Sequence, residues 1–273
     1  MKKIIFGLGL LLAPLMLMAG EWAGDAITGC SVWSDEPVAD GDIVSWSGEC
    51  EEGKASGHGV LTWISEDALL VRYTGQLKGG KVDGVGQLFI QAEQGEGYDR
   101  YEAEFLQGEF EGKVELAAAN GDHFQGQMKQ SLIEGYGSYI GANGDRYDGE
   151  FVNGLPQGEG FSEAADGESY HGLFRVGKRH GQGTLIEASG DQFEGEFVDG
   201  KLNGWGSWLG FDGARFDGQF ADGKPNGRGI FKAVNGDIYT GGFANGVADG
   251  EMTVTREGGK QSTETWSNGE KVK

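Results

Sequence analysis

Two cysteines and four histidines are the residues of this sequence best suited to nucleophilic or metal chemistry. Cys30 and Cys50 lie near the start of the chain, and the histidines are His58, His123, His171 and His180. They are not accompanied by a CxxC or HExxH motif, a nucleophile triad or a phosphate-binding Walker loop. The histidines fall in three different repeats, so they are not expected to share a zinc ion. The sequence therefore predicts a protein that is not an enzyme and holds no cofactor.

A column of aspartates is the next candidate for ion binding. These residues follow glycine in short turn sequences such as NGD, at Asp122, Asp145, Asp191 and Asp237. A ladder of calcium ions along them is conceivable, because carboxylates are calcium ligands. Aspartate is also an ordinary turn residue whose side chain bonds nearby backbone. Since Glu168 and Ala214 interrupt the column, we expect structural turns rather than calcium sites.

These residues are set in a regular repeat. An aromatic residue opens each unit, and from Tyr101 onward the step between units is 23 residues, with openings at Trp46, Tyr73, Tyr101, Phe124, Tyr147, Tyr170, Phe193, Phe216 and Tyr239. Counting that aromatic as position 0, glycine recurs at +2, +7, +11 and +13, and a bulky residue recurs at +4. Residues 262–269 form a further half unit. Such a period indicates a repeat protein.

Each repeated position has a physical role. Residues at 0, +2 and +4 of a strand point to one side, and those between them point to the other. The unit at Tyr147 therefore places Tyr147 and Phe151 on one face, and the missing side chain of Gly149 lets a ring of a neighbouring unit lie over it. The +7 glycine follows Asn or Asp and predicts a tight turn. The GxG at +11 and +13 is expected to begin the returning strand. Each unit is thus a β-hairpin.

The pattern YxGEFxxGxxxGxGxxxxxxGDxY resembles the MORN repeat, and the resemblance covers about 46–269. It implies an all-β fold, an elongated single-layer antiparallel sheet (half-pipe or rod) of about nine 23-residue hairpins. We assign 46–261 to this array, 21–45 to an N-terminal cap and 262–273 to a C-terminal half repeat and cap. The basic sequence RVGKRH at 175–180 is a candidate anion or partner contact, although the resemblance implies that basic residues are ordinary in this loop.

The first 20 residues read as a secretory signal peptide: a basic MKK, an apolar run at 4–18 and small residues before Glu21. The apolar run is shorter than a spanning helix needs. We therefore expect an exported protein, periplasmic or extracellular. Export favours a disulfide between Cys30 and Cys50 as a structural staple.

The net charge of the chain limits the classes of partner that it can bind. The chain carries a formal charge of −21, which disfavours nucleic acid and anionic membranes. The expected function is a non-catalytic scaffold that binds a protein or an extended cationic ligand at a sheet edge or on its ring-lined face: Tyr147, Phe151, Tyr170, Phe174, Phe193, Phe197, Phe216, Phe220, Tyr239 and Phe243. The alternative is a self-associating structural rod or spacer. A carbohydrate-binding or enzymatic surface built on Trp205 and Trp208 is a weaker third hypothesis.

Overall fold

The structure, a computed structural model, describes residues 20–35, 37–66, 68–92 and 97–272 as 24 β-strands without a helix. The predicted signal peptide lies outside these residues, apart from Gly20. Within the described ranges, nothing helical is long and apolar enough to cross a membrane. The chain divides into two compact units, residues 1–155 and 156–273.

The first unit holds thirteen strands. They are β1 (Glu21–Gly24), β2 (Ser31–Ser34), β3 (Ile43–Trp46), β4 (Glu49–Glu51), β5 (Lys54–Ser65), β6 (Ala68–Lys78), β7 (Lys81–Gln91), β8 (Tyr98–Leu106), β9 (Glu109–Ala117), β10 (His123–Lys129), β11 (Leu132–Ile133), β12 (Gly135–Ile140) and β13 (Arg146–Val152). From β5 to β10 each strand pairs antiparallel with the next, and β12 then pairs with β10 and β13.

The start of the first unit is built differently. Strands β1 and β2 form a hairpin, and β2 lies parallel to β5 through Ser31 and Lys54. The predicted disulfide between Cys30 and Cys50 is present and joins this hairpin to β4, so that prediction is confirmed. Asp25, which is buried, accepts hydrogen bonds from the backbone amides of Ile27 at 2.7 Å and Trp46 at 3.0 Å.

The second unit continues the hairpin repeat. Its strands are β14 (Leu155–Glu163), β15 (Ser169–Arg175), β16 (Lys178–Ile186), β17 (Gln192–Val198), β18 (Lys201–Leu209), β19 (Arg215–Ala221), β20 (Lys224–Lys232), β21 (Ile238–Ala244), β22 (Val247–Thr255), β23 (Gln261–Ser267) and β24 (Glu270–Lys271). Each pairs antiparallel with the next. The prediction of an all-β antiparallel fold made of hairpin repeats is confirmed.

The turns inside the hairpins have the expected geometry. Position +6 and the glycine at +7 both have positive φ, for example Asn153 at 49° and Gly154 at 75°. This is the backbone that a two-residue hairpin turn of the mirror-image type requires. Val176 has the same backbone conformation, with a φ of 49°, which is unusual for a β-branched residue.

Two details of the repeat differ from expectation. The GxG does not begin the returning strand: Gly181 and Gly183 lie in the middle of β16, which starts at Lys178. The first glycine has a positive φ of 64° and sits in a β-bulge, because β16 has two more residues than β15 between paired positions. Bulges of this kind re-aim the strand and favour glycine. A strand start and a bulge both call for glycine, so the sequence pattern does not distinguish them.

The ring that lies over each glycine also differs from expectation. It belongs to the same repeat rather than to a neighbouring one. A Cβ built on Gly218, at +2, would lie 2.7 Å from Cζ of Phe216, at position 0. In the first unit a Cβ on Gly137, at +13, would lie 2.7 Å from Cε2 of Phe124. In the repeats that open at Phe124 and Phe216 the ring therefore folds back over its own hairpin and lies against two of its glycines, whereas Gly195 faces Leu202 and Gly241 faces Met252.

Candidate functional site

The ring-lined face is mostly covered by its own side chains. Eight of the ten predicted residues are buried, with Tyr147 and Tyr170 at 0% exposure, and Phe193 and Tyr239 are half-buried. The rings meet edge to face: Tyr170 lies 5.2 Å from Phe174 and 5.1 Å from Phe197 between ring centroids. Such pairs favour a fixed packing. These rings form the core of the repeats, and the prediction that they bind a partner stays a prediction.

Tyr170 of this core is held neutral. Burial raises the pKa of Tyr170 to about 12, even though nearby Arg179 lowers it. Its hydroxyl donates to the carbonyl of Leu173 at 3.1 Å, and Tyr147 bonds the carbonyl of Glu150 in the same way at 2.9 Å. A phenol with so high a pKa that already donates its proton to backbone is a structural group, unsuited to acid–base work near pH 7.

One part of the ring-lined face is open. Phe216, Tyr239 and Phe243 of the predicted set line a cavity of about 350 Å³ in the second unit, together with Trp208, Phe231 and Trp266. The other seven predicted residues do not line it. The structure thus brings three of the predicted residues together around a cavity and packs most of the others into the core.

The opposite face of the second unit carries a larger groove. Its floor is a line of glycines paired across neighbouring strands: Gly195 with Gly206, Gly206 with Gly218, Gly218 with Gly229 and Gly229 with Gly241. Side chains in this row point to the ring-lined face, as a Cβ on Gly218 would and as the buried Met252 does, so backbone forms the bottom of a groove of about 1070 Å³. We call it the glycine groove of the second unit.

The walls of the glycine groove are polar and charged, with one large aromatic. The side chain of Trp205 is 67% exposed. Four carboxylates and two guanidinium groups line the groove: Glu194, Asp217, Asp249, Glu251, Arg215 and Arg228. Arg215 donates two hydrogen bonds to Asp217, at 2.6 and 2.7 Å, and this pairing raises the pKa of the guanidinium. The groove is therefore acidic with an apolar platform in it.

The first unit has a smaller groove of the same construction. It measures about 460 Å³ and contains Glu102, Glu104 and Glu115 against Lys113. Two apolar side chains on its walls are strongly exposed, Val85 at 72% and Tyr136 at 64%. Val85, Tyr136 and Trp205 all occupy position +12, between the two glycines of GxG.

Position +12 is the repeat position that contributes these exposed apolar side chains to the two grooves. It lies on the polar face, where most repeats place a polar side chain, so an apolar residue there has no core to join. Trp205 stood out in the sequence only as an exposed aromatic of the third hypothesis. The rings at 0 and +4 predict a binding surface on the ring-lined face, and the folded protein covers most of that face with its own side chains.

The turn aspartates have a structural task. In three of the four cases the carboxylate accepts a hydrogen bond from the backbone amide 20 residues further on, in the next turn: Ala142 donates to Asp122 at 2.8 Å, Phe211 to Asp191 at 2.9 Å and Glu257 to Asp237 at 3.1 Å. Neighbouring repeats are thereby tied at their turns. Among the described residues, no three His, Cys, Asp or Glu side chains are grouped to hold a metal ion.

The basic sequence at 175–180 is partly engaged within the fold. Arg179 forms an ion pair with Glu168 and lies over the ring of Tyr170, 5.4 Å from its centroid. Lys178 lies 3.9 Å from Asp199 at the surface. Nδ1 of His180 is buried and has no hydrogen-bond partner among the described residues. At least Arg179 of this cluster is therefore engaged in contacts within the protein itself.

Comparison with curated proteins and solved structures gives only weak likenesses. No curated protein matches the chain. The TCP domain of SAS-4 from Drosophila melanogaster, solved with a proline-rich motif of Ana2, is 13% identical with a TM-score of 0.32, covering 68% of this chain and 87% of that one. A streptogramin B lyase structure is 10% identical with a TM-score of 0.17, covering 83% and 88%. Likenesses this weak identify no function.

The family comparison is specific. The MORN repeat matches residues 46–67, 124–146, 147–169, 170–192, 193–215 and 216–238. These segments start at the aromatic that opens a repeat, and together they cover half of the chain. The resemblance drawn from the sequence is confirmed, and the chain belongs to the MORN repeat family.

Proposed function

We propose that this protein is a non-catalytic repeat scaffold that binds an extended, positively charged protein segment in its glycine groove. The observation that carries the proposal is the groove of the second unit: about 1070 Å³, floored by backbone, acidic at its walls and furnished with the exposed indole of Trp205. A large exposed aromatic in a concave polar setting is typical of a binding surface.

The dimensions suit an extended segment. Five paired glycines from Gly195 to Gly241 cross five strands, which corresponds to about 19 Å at 4.8 Å per strand. About six residues of extended chain have that length. A ligand backbone can approach the sheet closely here, because the side chains of this row point to the ring-lined face and leave backbone as the floor.

The charges suit a cationic segment. Arg215 is already paired with Asp217, which leaves Glu194, Asp249 and Glu251 to face a single further cation, Arg228. The face of Trp205 attracts ammonium and guanidinium groups. The first unit repeats the arrangement, with three glutamates, one lysine and the ring of Tyr136. The same charge supports the expectation that nucleic acid and anionic membranes are not the partners.

Export is part of the proposal. The Cys30–Cys50 disulfide is compatible with an oxidising compartment. We propose that the protein is exported and acts in the periplasm or outside the cell. Mass determination of the protein recovered from the native exported fraction tests this: we expect a mature chain that begins at Glu21, and recovery of the unprocessed chain in the cytoplasm would refute it.

Titration with capped peptides tests the groove. We expect hexalysine to bind and hexaglutamate not to bind, with the affinity falling as salt is raised. Asp249→Asn/Glu251→Gln should weaken binding about five-fold, and Trp205→Ser should weaken it about as much. The matched control is Glu257→Gln/Glu270→Gln, which removes the same charge from exposed residues outside the groove.

The control variant distinguishes binding in the groove from a general attraction of hexalysine to an acidic protein. If the control pair weakens hexalysine binding as much as the groove pair does, the groove is not the binding site. Sedimentation velocity over a range of protein concentrations addresses the alternative of a structural rod. Self-association without any peptide binding would favour that alternative over the scaffold.

A further inference from the structure

A single repeat position supplies one wall of the glycine groove. Position +12 of four successive repeats contributes Gln182, Trp205, Arg228 and Glu251, and all four line the groove. Each of these side chains is exposed. We call these four residues the +12 column. Its members differ in chemistry, so the column determines where along the groove a ligand meets a ring, a cation or a carboxylate.

The members of the +12 column stand in line across the sheet. Trp205 pairs with Gln219 of β19, whose side chain accepts the backbone amide of Arg228 at 2.9 Å. Arg228 in turn pairs with Gly242 of β21. Successive members therefore lie two strands apart, on β16, β18, β20 and β22. At about 4.8 Å per strand, this places them about 9.6 Å from one another.

This spacing favours one conformation of the ligand. In a β-strand, side chains on one side recur every two residues, or about 6.7 Å, and the second of them misses the next member of the column by about 3 Å. In a polyproline II helix, one side recurs every three residues, or about 9.3 Å. Such a ligand stays within about 0.6 Å of the column over two steps.

We propose that the glycine groove binds a proline-rich protein segment in the polyproline II conformation and contacts every third residue of it. This inference rests on the proposed function and specifies the segment. A proline packs on the exposed indole of Trp205, as proline-rich segments do in aromatic-lined grooves. Three residues away a carboxylate meets Arg228, and three residues beyond that a cation meets Glu251. The corresponding pattern is P-x-x-E-x-x-K, or its reverse.

The charges along the column support this pattern. Neither Arg228 nor Glu251 forms an ion pair within the part of the chain that the structure describes. Both side chains are exposed on the groove wall, so each can pair with a ligand of opposite charge. Arg228 is the cation of the groove that Asp217 does not engage, and it therefore selects a single carboxylate in a segment that is otherwise cationic.

The smaller groove of the first unit has the same spacing. Val85, Lys113 and Tyr136 occupy position +12 of successive repeats, and all three line that groove. Lys113 pairs with Gln127 across β9 and β10. A cation and a ring are again neighbours in the column. The three-residue register is therefore a property of the repeat, and the side chains at +12 determine which residues are recognised.

Capped peptides test the carboxylate contact. PKPEPKK carries proline, glutamate and lysine three residues apart, and KKPEPKP presents them in the opposite chain direction. In at least one direction, the glutamate peptide should bind about three-fold more tightly than the same peptide with glutamine in place of glutamate. Attraction to an acidic protein alone predicts the reverse order, because the glutamine peptide is more cationic.

Variants assign that preference to the column. Arg228→Gln should abolish the preference for glutamate. The matched control is Lys232→Gln, which removes the same charge from an exposed residue outside the groove and should leave the preference intact. Moving the glutamate by one residue, as in PKEPPKK, should weaken binding about three-fold relative to PKPEPKK at unchanged composition.

A valine peptide tests the conformation. PKVEVKK keeps every charge in place, but valine favours a β-strand and lacks the fixed φ of proline. It should bind about five-fold more weakly than PKPEPKK, because the polyproline II conformation is no longer formed in advance. Tighter binding of the valine peptide would show that the ligand is a β-strand and would overturn the inference.

Two further results would also overturn it: no preference for glutamate in either chain direction, or a preference that Lys232→Gln abolishes as Arg228→Gln does. Hexalysine separates this inference from the proposed function. If hexalysine binds in the groove and these preferences are absent, only the three-residue register is refuted. If neither hexalysine nor PKPEPKK nor KKPEPKP binds, the groove itself is refuted as a site for cationic segments.

Discussion

The ring of Phe124 lies directly against the backbone of Gly137, so that a Cβ built on this glycine would lie 2.7 Å from Cε2 of the ring. Gly137 pairs with Gly149 of the next repeat in β12 and β13, and Phe124 is 2% exposed. Backbone therefore lies against the ring on one side and other side chains enclose it elsewhere. The same contact recurs in other repeats, for example between Tyr170 and Gly183 and between Phe216 and Gly229.

Gly137→Ala should destabilise the fold by about 2–3 kcal/mol, because the methyl group overpacks a ring that has nowhere to move. Urea denaturation followed by fluorescence measures the loss. Gly24→Ala is the control: its Cβ would have no neighbour within 4 Å. Equal losses at both positions would show that the ring contact is not what excludes a side chain.

Val176→Asn should stabilise the second unit by about 1 kcal/mol. Val176 has a φ of 49°, a conformation that disfavours β-branched residues and that Asn adopts readily. Asn153 and Asn245 hold the same repeat position with the same backbone. Thermal unfolding measures the gain, with Val198→Asn in a neighbouring exposed strand position as the control. A lower melting temperature for Val176→Asn would contradict the prediction.

Loss of the disulfide should destabilise the first unit by about 3 kcal/mol, since the bridge closes a loop of 20 residues. Denaturation with and without a reductant should differ for the natural protein. Cys30→Ser/Cys50→Ser should match the reduced protein and be insensitive to reductant. A reductant effect that persists in the double variant would place its cause elsewhere.

Acid should weaken the first unit through Asp25. Burial would raise the pKa of this carboxyl, but the backbone amides of Trp46 and Ile27 hold it at about 2, below its ordinary value of 3.8. Its stabilising effect is therefore present above about pH 4 and is lost as the pH falls toward 2. Asp25→Asn should flatten the dependence of stability on pH in that window, whereas Asp40→Asn, at an exposed position, should leave it unchanged.

Asp122→Ala should cost about 1 kcal/mol, because the amide of Ala142 loses its acceptor. Asp122→Asn keeps an acceptor oxygen and should recover much of that loss. Calcium should leave the melting temperature of the natural protein unchanged. A rise in melting temperature with calcium that disappears in Asp122→Ala would revive the calcium ladder.

Much of the fold was predictable from spacing. The 23-residue step, the paired rings at Tyr147 and Phe151 and the glycine after Asn153 are local signals, and each keeps its meaning in the folded chain. The prediction that the GxG begins the returning strand is wrong, because a bulge and a strand start both favour glycine. The pattern predicts a neighbouring repeat's ring over the +2 glycine, whereas Phe216 lies over Gly218 of its own repeat, because sequence spacing carries no information on which ring folds back.

The candidate sites were less predictable, because sequence spacing does not show which side chains meet in the folded chain. Alternation along a strand determines which residues share a face, and the sequence alone established two faces, tight turns and an acidic surface. Whether a face is covered depends on how side chains from different repeats meet in space. Only the tertiary structure decided that Tyr170 and Phe197 cover each other, that Trp205 is left exposed over a backbone floor, and that Phe216, Tyr239 and Phe243 line an open cavity.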